Sequence, residues 1–95
     1  MGIIVERTLR VPAGKTVTIT MKISNCRILA VTIGGDFFAY PEDSIDKLER
    51  ALLMCASTEC IEHAIQIVSR NARLLGFSWE ELKRLLVEVF REGCS

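Results

Sequence analysis

The chain has one histidine, one tryptophan, one tyrosine and two prolines among its 95 residues, and each scarcity removes a class of function. A lone histidine, His63, with Gln66 and Arg70 following at helical spacing, falls on a polar helix face and reads as solvated rather than as a ligand or base. No Ser/His/Asp arrangement and no P-loop is present, and Gly34-Gly35 is too short to cradle phosphates. Few prolines and 49% apolar content argue against a disordered chain. No charge of one sign prevails: twelve basic and twelve acidic side chains cancel, so the electrostatic footprint of a nucleic-acid or anionic-membrane binder is missing. No apolar run approaches the roughly 20 residues of a membrane span, and residues 1–10 lack the apolar core of a signal peptide. A cytoplasmic protein with neither nucleic acid nor membrane as partner is expected.

Cysteine is the one unusual abundance. Cys26, Cys55, Cys60 and Cys94 fit no zinc or haem spacing, so no metal site is expected. Without a secretory signal they read as free, mostly buried thiols. Cys55 and Cys60 lie close enough for a disulfide across a helix junction, and Cys94, near the end, is expected to be exposed and reactive.

The chain reads as one domain over residues 1–95. A domain of this size buries about 60% of the surface its unfolded chain exposes. That leaves room for one core but little for a deep private pocket, so any catalysis is expected to be shared with a partner. Charge is uneven along the chain. Residues 1–35 carry five basic side chains against one acidic, a net of +4, and residues 36–95 carry seven against eleven, a net of −4.

Residues 15–23 alternate Val17, Ile19, Met21 and Ile23 with Thr16, Thr18, Thr20 and Lys22, the period of two of a half-buried strand. Upstream, Ile3, Val5, Leu9 and Val11 share a face interrupted by Arg7. Downstream, Leu29, Val31 and Ile33 alternate with Ile28, Ala30 and Thr32. Turns are expected at Pro12-Ala13-Gly14-Lys15 and at Ser24-Asn25-Cys26-Arg27, where Asn25 tolerates the left-handed conformation of a tight hairpin. The outer face of the sheet then shows Ile4, Thr8, Arg10, Thr16, Thr18, Thr20, Lys22, Ile28, Ala30 and Thr32, an ordinary solvated face or a docking surface.

After Gly34-Gly35 the period changes. Ser44 is placed to cap a helix whose stripe is Ile45, Leu48, Leu52 and Cys55. A second helix begins near Ser57 or Thr58, carries Ile61, Ala64, Ile65, Val68, Ala72 and Leu75 on one face, and ends at Gly76. The third opens with a Ser78/Glu81 capping box and a Phe77/Leu82 staple, then buries Leu85, Leu86, Val89 and Phe90. The order βββααα predicts a two-layer α+β fold, a three-stranded antiparallel sheet with about three helices on one face. Glu42, Asp43 and Asp46 sit at a helix start, as do Glu80 and Glu81, where negative charge complements the macrodipole. That account leaves a paired-carboxylate site only weakly supported.

Chemically the odd segment is Gly34-Gly35-Asp36-Phe37-Phe38-Ala39-Tyr40-Pro41, which holds three of the six aromatic residues. Taken singly, each has a structural reading: glycines for a sharp exit, Asp36 as a turn cap, the phenylalanines as a plug between sheet and helices. Gly35-Asp36-Phe37-Phe38, followed by Pro41, Ile45 and Leu48-Glu49-Arg50-Ala51-Leu52, resembles the signature and following helix of the C-terminal accessory domain of lipoate-protein ligases. Pro12-Ala13-Gly14-Lys15 resembles that family's turn before the second strand, and Phe77-Ser78-Trp79-Glu80-Glu81-Leu82 the start of its last helix.

The resemblance covers nearly the whole chain, in order, but nothing of the catalytic domain that precedes this one in single-chain ligases. It implies the small subunit of the split, two-chain ligase known in archaea, a heterodimer with a large catalytic subunit. The two together would adenylate lipoate with ATP and Mg2+ to lipoyl-AMP and pass the lipoyl group to a lysine of a lipoyl domain or H protein. The small chain is expected to bind no cofactor alone and to hold no catalytic residue. Lys15, Gly35, Asp36, Phe37 and Phe38 are the candidates for partner contact or active-site closure. The family is also similar in fold to the scaffold and sulfur-acceptor domains of iron-sulfur assembly. An alternative role, with the cysteines carrying a cluster or persulfide, follows from that likeness. A dimerisation module using the threonine face is a third possibility.

Overall fold

A computed structural model of the chain describes residues 2–12 and 15–94. Three strands, β1 (Ile3–Arg10), β2 (Thr16–Ser24) and β3 (Arg27–Gly35), form an antiparallel sheet in the order β1-β2-β3. Ala13 and Gly14 of the expected first turn lie outside the described residues; on either side of them Val11 N–H donates to the Lys15 carbonyl at 3.0 Å. The second turn is the two residues Asn25 and Cys26, with φ of 53° and 59°. Two left-handed central residues give the twist that matches the flanking strands of a short hairpin.

Alternation in β2 sorts the sheet into two faces. Val17, Ile19, Met21 and Ile23 are fully buried. Registers Val5↔Met21↔Val31 and Ile19↔Ile33 stack the inward residues in rows. Arg7, opposite Ile19 on that same face, does not break it. On an edge strand its guanidinium reaches outward and pairs with Glu92. On the other face, Thr8 and Thr18 share a hydroxyl hydrogen bond of 2.9 Å and Thr20 donates to Glu6 at 3.1 Å. These are directly opposed pairs of the β1/β2 register.

One expected outer-face residue is misplaced. Ile28 is fully buried, and Leu29, expected inward, is 45% exposed. A β-bulge causes the exchange: Ile23 pairs with Ile28 but Lys22 pairs with Ala30, leaving Leu29 as the extra residue, and one inserted residue inverts the side-chain parity.

Helix α1 spans Ser44–Leu52. Asp43 precedes it without a side-chain capping bond, and Ser44, the expected cap, is buried with its hydroxyl donating to the Pro41 carbonyl at 2.6 Å. The helix stops short of Cys55 because the following backbone pairs with the edge of β3. Ile28 N–H donates to the Cys55 carbonyl at 3.0 Å and Met54 N–H to the Ile28 carbonyl at 2.7 Å.

Helix α2 starts where expected, with the Ser57 hydroxyl accepting from the Cys60 N–H at 3.2 Å, and spans Thr58–Ser69. It does not run to Gly76. Arg73–Leu75 instead pairs antiparallel with Phe38–Tyr40 as a two-stranded ribbon; in chain order Phe38–Tyr40 is β4 and Arg73–Leu75 is β5. Ala72 and Leu75 therefore leave the helical stripe, and Leu75 is exposed.

Helix α3 (Trp79–Cys94) opens with the expected capping box. Glu81 N–H donates to the Ser78 hydroxyl at 3.1 Å, and Ser78 N–H donates to the Glu81 carboxylate at 3.0 Å. Leu82, Leu85, Leu86, Val89 and Phe90 are buried. Helix α3 packs on β1 and β2, α1 packs on β3, and α2 bridges α1 and α3, so the expected α+β arrangement of helices over one sheet face is found. No helix of the described residues is long and apolar enough to cross a membrane.

Two disulfides replace the expected free thiols, Cys26–Cys94 and Cys55–Cys60. Cys94, read as exposed and reactive, is half-buried and bonded. A partner 68 residues away leaves no trace in local spacing, and the fold supplies the proximity. The short Cys55–Cys60 bridge is the pairing that the helix junction allowed.

Candidate functional site at the Gly-Asp-Phe-Phe corner

At the end of β3 the chain turns across the start of β2. Gly35, with φ of 148°, lies opposite Val17. A Cβ on it would overlap the Thr16 carbonyl oxygen and come within 3.0 Å of Val17 Cα, so the crossing requires glycine. The next residue is tied to the same place. Asp36 N–H donates to the Thr16 carbonyl at 2.9 Å, and the Thr16 hydroxyl donates to the Asp36 carboxylate at 3.3 Å.

The two phenylalanines then part. Phe37 is half-buried and packs edge to face on buried Phe77, with ring centroids 4.8 Å apart at 85°. Phe38 enters β4 opposite Leu75 and is 73% exposed. Tyr40 shares its side of the ribbon and is 70% exposed, so Phe38, Tyr40 and Leu75 form one apolar outer face with Arg73 opposite Tyr40. The inward positions Ala39 and Leu74 are half-buried.

All five sequence candidates, Lys15, Gly35, Asp36, Phe37 and Phe38, line one open depression of about 350 Å³. A second, of about 390 Å³, shares Gly35, Phe37 and Phe38 with it and extends to Glu42 and Ile45. The exposed Phe38 ring thus borders both hollows, with a cation and an anion lining the first. Tyr40 and Leu75 belong to the same surface and were not among the candidates. The alternation Phe38, Tyr40 was a strand signal for the first, whereas Leu75 was hidden by its fit to a helical stripe.

Elsewhere several carboxylates have structural partners. Asp43 pairs with Lys47 and Glu80 with Lys83, each at 3.5 Å. Glu49, on the α1 face that meets β3, accepts from the Ile33 N–H at 2.7 Å and so satisfies an edge-strand donor. His63 is exposed on α2. Among the described residues no group of three or more histidine, cysteine, aspartate or glutamate side chains is arranged to hold a metal.

The fold and its corner thus define a class, a small α+β domain that presents an exposed apolar face at one end of its sheet. No protein-family model matches the chain, and no curated protein matches it. Among solved structures it is similar to a chain from the structural analysis of an archaeal lipoylation system, a bi-partite lipoate protein ligase and its E2 lipoyl domain from Thermoplasma acidophilum. The likeness has a TM-score of 0.72 at 25% identity and covers 100% of this chain and 98% of that one. The resemblance read from Gly35-Asp36-Phe37-Phe38 and the flanking segments therefore extends to the whole fold.

The corner separates two mutational phenotypes. Phe37→Ala is expected to cost about 3 kcal/mol of stability, because its ring fills space against Phe77. Phe38→Ala is expected to change stability by less than about 0.5 kcal/mol. Urea unfolding of the two variants checks this, and equal losses would place both rings in the core.

Proposed function

We propose that this chain is the non-catalytic small subunit of a two-chain lipoate-protein ligase, working in the cytoplasm as a heterodimer with a large catalytic subunit. The observation that carries the reading is the full-length likeness to a component of a bi-partite lipoylation system. In support, the five candidate residues meet in one corner.

In the proposed complex the carboxylate of lipoate attacks the α-phosphorus of ATP, pyrophosphate leaves, and lipoyl-AMP forms. A lysine amine of a lipoyl domain or H protein then displaces AMP. In this reading the large subunit supplies the reacting groups and the Mg2+ site. This chain's part is to close over the activated acyl group. An acyl-adenylate hydrolyses when water reaches it, and a domain that seats an apolar face beside the site excludes water and orders the loops around it.

In that account Phe38, Tyr40 and Leu75 form the buried centre of the contact, and Lys15 and Asp36 orient it with paired charges at the rim. A Phe38→Ala, Leu75→Ala variant is expected to stay folded and to bind the large subunit at least roughly 30-fold more weakly, the loss typical of central apolar anchors. Titration of the purified subunits by calorimetry tests this. Unchanged affinity would move the interface to another face. The iron-sulfur alternative is not favoured in this oxidised form, where all four cysteine sulfurs are engaged in disulfides.

A further inference from the structure

The two disulfides differ in what an incoming thiol would meet, and we propose that Cys26–Cys94 is a reversible thiol-exchange site, opened by small dithiols, that latches the end of α3 to the β2/β3 hairpin. The inference is independent of the lipoylation reading.

Exchange requires a thiolate to reach one sulfur while the other leaves as a thiolate. Cys55 is 1% exposed within the apolar core. Attack on it is blocked, and attack on exposed Cys60 would expel the Cys55 thiolate into surroundings that disfavour its charge. Cys26 and Cys94 are both half-buried at the hairpin and helix end, so neither belongs to the sealed apolar core that holds Cys55. The reaction balances without a further reagent. One dithiol sulfur bonds to Cys26 or Cys94 and releases the other as a thiolate. The second dithiol sulfur then displaces the remaining cysteine, leaving a cyclic disulfide and two cysteine thiols.

The consequences of opening also differ. Around Cys55 the backbone stays fixed by its bonds to Leu52 and Ile28, and Cys60 is held by the Ser57 cap. Cys94 is the last residue of α3, and the bond ties it to Cys26 in a two-residue turn. Cys26 itself has φ of 59°, where the second turn position favours glycine; a cysteine in that strained place is explained by the crosslink. After cleavage the last turn of α3 is still held by Gly93 packed against Ile23 and by the Arg7–Glu92 pair on the sheet's edge, but no covalent tie joins it to the hairpin. The latch sits at the Ser24 end of β2, about 26 Å along the strand from the Thr16 end that holds the Gly35 corner, so opening it loosens the far end of the domain and leaves that corner in place.

The test uses the native chain with dithiothreitol, alkylation of newly formed thiols and peptide mass spectrometry. Cys26 and Cys94 are expected to be alkylated about tenfold faster than Cys55 and Cys60. Amide hydrogen exchange in residues 91–94 should then rise about tenfold while residues 54–61 keep their protection. A Cys26→Ala, Cys94→Ala variant should show the opened exchange pattern without reductant; if it does not fold, the native-chain measurement decides. Equal or reversed alkylation rates, or unchanged exchange at residues 91–94 once the bond is open, would overturn the proposal.

Discussion

Gly35→Ala is expected to destabilise the protein by about 4 kcal/mol, combining roughly equal parts of backbone strain and steric overlap. At φ of 148° an L side chain is strained wherever it finds space, and here it finds none: its Cβ would press on the Thr16 carbonyl and Val17 Cα, both backbone of the central strand. Neither can withdraw without parting β2 from β3. The Asp36 N–H bond to the same Thr16 carbonyl would be disturbed too. Gly34 is the internal control. A Cβ there meets nothing within 4 Å, so Gly34→Ala should change stability by less than about 0.5 kcal/mol. Urea unfolding of both variants measures the difference, and equal effects would mean that the corner does not depend on a glycine crossing.

Replacing Cys26 and Cys94 together by alanine is expected to cost about 4 kcal/mol, against about 2 kcal/mol for Cys55 and Cys60, from the loop-closure entropy each bond removes from the unfolded chain. The separations are 68 and 5 residues, and the logarithm of that ratio sets the gap. Both losses are large in a domain whose total stability is of order 5–15 kcal/mol. Denaturant midpoints of the two double variants, each against the oxidised parent, should fall in that order. The reverse order would mean that native-state contacts at the α1/α2 junction outweigh the entropy of the longer loop.

Features decided by local chemistry were legible in the sequence. The alternation of residues 16–23, the Ser78/Glu81 box and the left-handed turn at Asn25 each depend on neighbours a few positions away, and each stands where it was read. Features decided by distant partners were not. The bulge at Leu29 inverts the face of Ile28 through pairing with β2. Residues 73–75 are a strand only because Phe38–Tyr40 offers them a ladder, and their helical spacing was coincidental. Cys26 and Cys94 meet only through the fold. At the corner, the residues that line the depression could be named, but Phe37 and Phe38 are equivalent in sequence until the ribbon turns one onto Phe77 and the other outward.

The central claim is that this chain completes the activating half of a divided ligase without performing chemistry itself. Lipoyl-AMP formation, followed with radiolabelled ATP, lipoate and Mg2+ for this chain alone, for its cognate large subunit alone, and for an equimolar mixture, tests it most directly. The account predicts lipoyl-AMP only from the mixture. Equal rates from the large subunit with and without this chain would contradict it.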